Sequence, residues 1–170
     1  QYWLPTVYNL KKFTTFTSSH TIESLRNVKK KLVYSFTINN IEYQLIFLIL
    51  TEKDEAIIDR KISIFIKNLH FVSKYMKAKM NSLKIVVLYA DKNKEKNNDT
   101  NKPLSFDNVN TGVTRSCIED SIIFLYRQEE LMKVFIHEVI HSKCVDFSNI
   151  DVNKKTINLI KKMFDIKSDF

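Results

Sequence analysis

Between Lys31 and Leu50 the hydrophobic period of the chain changes, and that change constrains the fold more than any other feature. Over 31–38, Leu32, Tyr34, Phe36 and Ile38 fall on one side, the two-residue period of a strand. Asn39-Asn40 follows, a pair able to take the positive φ angles of a tight turn, so a hairpin into 41–50 is predicted. The second strand becomes apolar on both faces, which suits an interior position in a sheet.

The period then switches to that of a helix. From 54 to 79, Ile57, Ile58, Ile62, Phe65, Ile66, Leu69, Val72 and Tyr75 or Met76 recur at helical spacing, opposite a face of Lys and Asp. Leu83–Tyr89 reads as a buried strand by its length and β-branching. Residues 91–103 are charged and Asn-rich, an exposed loop open to proteolytic nicking. A turn near Asn110-Thr111-Gly112 leads to a strand over 121–127, then a helix over 128–144 with Glu129 and Glu130 in its first turn. Asp151 or Asn153 would cap a last helix ending near Phe164. Residues 1–20, with Pro5 and a Thr/Ser cluster, form an irregular arm ahead of one domain over 21–170. The order is β-β-α-β-loop-β-α-α, an α+β fold with a mixed sheet and helix 54–79 across one face.

With 44% apolar and 12% aromatic residues in 170, the chain has material for one sizeable core, which excludes wholesale disorder. The longest apolar run, Leu45–Leu50, is far short of a membrane span, and no membrane partner is expected. The net charge of +8 lies in runs at 29–31, 74–79, 92–96 and 154–162, which read as solvated faces or an acidic-surface contact. No stacking motif or recognition module supports specific nucleic-acid binding. Cys117 and Cys144 show no paired spacing, so no disulfide is expected and a reducing compartment, the cytoplasm, is the default.

Chemistry concentrates in 128–144. His137-Glu138-Val139-Ile140-His141 is an H-E-x-x-H motif in an apolar segment (Leu131, Val134, Phe135, Ile136). On a helix, residues four apart share a face, so both imidazoles can reach one Zn²⁺. Glu138 sits beside the metal, placed to take a proton from the water that attacks a carbonyl. Two histidines and a glutamate would be costly to bury there without such a task.

This motif, preceded by a strand and an acidic helix start, resembles the zincin metallopeptidases over roughly residues 30–145. The resemblance implies a twisted sheet, a long backing helix (54–79), an edge strand (121–127) that pairs with extended substrate, and an active-site helix. It also implies hydrolysis of a peptide or isopeptide bond in a peptide or protein substrate, with Glu138 as base and His137 and His141 as metal ligands. The stretch from Asn110-Thr111-Gly112-Val113-Thr114 through Tyr126-Arg127-Gln128-Glu129-Glu130 to the motif is similar to uncharacterised zincin-like proteins of large DNA viruses. That likeness implies a viral protein of the host cytoplasm or virion. It also supplies the alternative function, a capsid or scaffold protein whose activity is secondary or lost.

A catalytic zinc takes three protein ligands, and the third departs from the family pattern. Cys144 and Phe147 occupy the glycine and final histidine positions of the metzincin extension, and no Glu follows Glu138. The gluzincin-like glutamate is therefore expected beyond Phe170. Asp146 would reach the site only if the helix ended near Ser142–Lys143, and His20 is a further candidate. Cys144 reads as a buried structural thiol, His70 as a core histidine. Glu130, Tyr126 and Arg127 could line the cleft, although ordinary surface is the simpler reading of each.

Overall fold

The computed structural model describes residues 19–76, 79–89, 111–146 and 153–165. The loop expected at 91–103 and most of the N-terminal arm lie outside the described residues. The elements are α1 (Ser19–Arg26), β1 (Lys30–Ile38), β2 (Ile41–Ile49), α2 (Glu52–Tyr75), β3 (Ser82–Leu88), β4 (Gly112–Thr114), β5 (Asp120–Leu125), α3 (Leu131–Ser142) and α4 (Lys154–Met163). The fold is α+β. Its five-stranded mixed sheet runs β1-β2-β3-β5-β4, with antiparallel pairs at the two ends and parallel pairs in the middle.

The hairpin forms as its residues dictate. Asn39 and Asn40 take φ of 51° and 64°, the paired left-handed geometry of a two-residue turn, and Ile38 lies opposite Ile41. Leu45 to Ile49 are all buried, because β2 lies between β1 and β3 and both sheet faces are covered. On one face α2 and α3 pack over Tyr43, Leu45, Phe47, Ile85 and Val87, while Leu32, Tyr34, Phe36 and Ile38 close the margin. On the other, Leu25 and Val28 cover Ile46, Leu48, Val86, Leu88, Phe124 and Tyr126.

Helix α2 begins two residues before the apolar spacing suggests. Thr51 and Asp54 form a reciprocal capping box that satisfies otherwise orphan backbone N–H groups. Its buried stripe is Ile58, Phe65, Leu69 and Val72. Phe65 holds α3 in place: its ring centre lies 4.7 Å from that of Phe135 and 5.5 Å from that of Phe47, so one aromatic column joins β2, α2 and α3.

Several expectations are corrected. Residues 121–127 do not form an edge strand: β5 is paired on both sides, by β3 and β4, and Tyr126 and Arg127 are buried just beyond it. Among the described residues the edge on that side of the sheet is β4, where a turn was expected. Three residues are too few to show a period, which is why the pattern concealed it. His70 is exposed rather than core, because it flanks the buried stripe of α2 and lines a groove with Val33 and Ile66. Glu129 and Glu130 precede α3 instead of occupying its first turn. Glu130 is its N-cap residue, left-handed at φ 55°, and pairs with Lys133 at 2.8 Å.

Candidate metal centre

The helix α3 crosses β4 and β5, and its buried residues Leu131, Phe135, Glu138, Val139 and Ser142 form one stripe against the sheet. At about 100° per residue, His137 and His141 fall on the flank next to that stripe, with Glu138 between them and the core. Within the motif Val139 thus anchors the helix, and the two histidines border solvent. His137 is exposed, His141 half-buried and Glu138 8% exposed.

The two imidazoles converge. Nε2 of His137 and Nε2 of His141 are 2.9 Å apart, with the rings edge-on at 86°. Two nitrogens sharing a zinc at about 2.0–2.1 Å each lie within about 4 Å of one another, a condition this pair meets. Asp146 carries the carboxylate next to His141, with Oδ2 on Nδ1. α3 ends at Ser142, and the turn through Cys144 at φ 58° brings Asp146 back along the helix. The carboxylate engages the nitrogen on the far side of the ring from the one facing His137. Asp146 is thereby an orienting partner that sets ring rotation and tautomer.

Burial pushes the Glu138 carboxyl above its ordinary value, and the neighbouring His141 pulls it partly back. A carboxylate deprived of water binds a proton more tightly, the property required of a base. Its side chain is confined by the chain's one glycine. A Cβ built on Gly112 would lie 2.9 Å from Leu125 Cδ2, 2.9 Å from Val134 Cγ1 and 3.3 Å from Glu138 Cγ. A larger residue at the start of β4 would therefore press on the side chains of Leu125, Val134 and Glu138, which would have to shift to make room.

Cys117 and Cys144 form a disulfide, contrary to the expectation of free thiols, and Cys144 is exposed rather than buried. Cys117 lies in the turn between β4 and β5 and Cys144 directly after the α3 cap. Their separation of 27 residues has no local signature, since only the packing of α3 on the β4–β5 hairpin brings them together. Next to this bond Lys143 is 2% exposed. Its Nζ has no hydrogen-bond partner among the described residues and lies 5.8 Å from the Tyr43 ring centre, a cation–π contact that offsets part of its burial cost.

Among the described residues no group of three His, Cys, Asp or Glu side chains converges on a metal position. His137 and His141 come together as expected, and Glu138 flanks them. Glu130 is exposed and paired with Lys133, whereas Tyr126 and Arg127 are buried rather than on the strand surface. Comparisons with family models, curated proteins and solved structures return no match for this chain.

Proposed function

We propose that the chain is a zinc-dependent hydrolase of peptide or isopeptide bonds, of the zincin type. The observation that carries this reading is the convergence of the His137 and His141 Nε2 atoms at 2.9 Å, backed by Asp146 on the outer nitrogen of His141. Two imidazoles with a carboxylate behind one of them fit zinc; a third donor would come from outside the described residues or from the substrate.

Bound zinc would supply Lewis acidity toward the scissile carbonyl. Glu138 then accepts the proton of the attacking water and returns it to the departing nitrogen, so that one carboxyl serves both halves of the reaction. His137 and His141 contribute neutral imidazole nitrogens, and Asp146 keeps His141 in the tautomer whose Nε2 is unprotonated. The strand that borders Glu138 is β4, paired on one side only among the described residues, and extended substrate would add to its outer edge.

The capsid or scaffold alternative keeps the two histidines at the metal but has no turnover, so the two readings differ in catalysis rather than in His137 and His141. Asp146→Asn tests the metal reading that both share. An amide holds the ring less firmly, and loss of such an orienting carboxylate typically weakens metal binding by about 10–100-fold. Zinc titration of the folded variant should show a drop of that order. Unchanged affinity would mean that the Asp146 contact has no part in a metal site.

A further inference from the structure

The four lysines of α4 share one side of a helix whose other side is apolar and uncovered. At about 100° per residue, Lys161, Lys154, Asn158, Lys162 and Lys155 occupy an arc of about 120°. Leu159, Met163, Thr156, Ile160, Ile157 and the cap residue Phe164 fill a separate arc of about 160°. The two sets do not mix, and Lys154–Met163 contains no acidic residue. No residue of α4 is buried; Leu159 is 58% exposed, Ile160 39%, Met163 68% and Phe164 70%.

We infer that α4 lies on an anionic lipid surface, its apolar arc sunk among the acyl chains and its lysines at the phosphate level. Helices that lie in the bilayer interface have segregated faces, lysine on the polar side and too many charges to cross the bilayer, and α4 has all three. Charge selects this occupant. A second copy packed apolar arc to apolar arc would leave the lysines of both helices on the outside and make no use of their charge, whereas an anionic bilayer presents an apolar interior bordered by negative charge in one plane and engages both arcs. No described helix is long and apolar enough to cross a membrane, and a helix lying in the interface needs no such length.

Flotation of the whole chain with phosphatidylcholine vesicles, with and without a minority of phosphatidylserine, tests this. Each lysine near such a surface strengthens binding by about fivefold, so Lys154, Lys155 and Lys162 together should make the acidic vesicles bind on the order of a hundredfold more tightly than the neutral ones. Rising salt should erode the difference. Ile160→Asp with Phe164→Asp should abolish binding to both vesicles, and Lys155→Glu with Lys162→Glu should abolish the preference for acidic lipid. All four side chains lie on an exposed helix, so unchanged melting temperatures are expected for both variants. Equal binding to the two vesicle types, or binding that survives Ile160→Asp with Phe164→Asp, would overturn the inference. So would a dimer of the wild type, in the absence of lipid, that the same pair of substitutions dissolves, since a second copy would then cover the face.

Discussion

Glu138→Gln should lose about 10²–10⁴-fold in turnover while keeping its zinc, because the amide preserves shape and cannot accept the proton. The separation of effects follows from position. Glu138 lies in the buried stripe of α3, whereas the Nε2 pair is formed by His137 and His141 alone. His137→Ala or His141→Ala should instead lose the metal, as each removes one of two converging donors. Peptide-library cleavage measured with zinc content on the same samples separates these outcomes. A full loss of zinc in Glu138→Gln would make the glutamate a ligand. Retained zinc with no cleavage even by the wild type would favour the capsid or scaffold reading.

Loss of the Cys117–Cys144 bond should have the largest effect on stability. A cross-link closing a loop of this length restricts the unfolded chain by about 3–4 kcal/mol. For a domain of this size that corresponds to a fall in melting temperature on the order of 10 °C. Cys144 also starts the turn that carries Asp146 back to His141, so the released turn should bind zinc more weakly. Reduction by a dithiol, which becomes a disulfide as the two cysteines take up its electrons and protons, should reproduce both effects in the wild type. The Cys117→Ser, Cys144→Ser double variant should be indifferent to the same reductant. Identical melting of wild type with and without reductant, once free thiols are confirmed, would contradict this account.

Much of the fold is legible in the chain because its information is local. The Asn39-Asn40 turn, the alternation of β1 and the spacing of Ile58, Phe65, Leu69 and Val72 each depend on near neighbours. What could not be read depends on distant pairing. β5 lies between β3 and β4 because parallel strands are joined by long crossovers, and no residue within Asp120–Leu125 specifies which neighbours it meets. Helix α1, with the mostly polar sequence SHTIESLR, buries Leu25 against the far face of the sheet, and with only Ile22 and Leu25 as large apolar residues in eight it is too short for its period to stand out in the chain.

The candidate site divides in the same way. His137, Glu138 and His141 are visible because four-residue spacing on a helix dictates their shared flank. The part of Asp146 depended on where α3 ends, and with it on the left-handed turn at Cys144. Gly112 could be flagged as the chain's one glycine, yet its neighbours Val134 and Glu138 become evident only once α3 lies across β4.

X-ray absorption at the zinc edge of the metal-loaded chain tests the central claim most directly, because it counts imidazole ligands without needing a substrate. His137 and His141 should give two imidazole nitrogens at about 2.0–2.1 Å, falling to one or to no bound zinc in His137→Ala. A spectrum with no imidazole scattering, or one that His137→Ala leaves unchanged, would contradict the assignment of these two histidines to a metal.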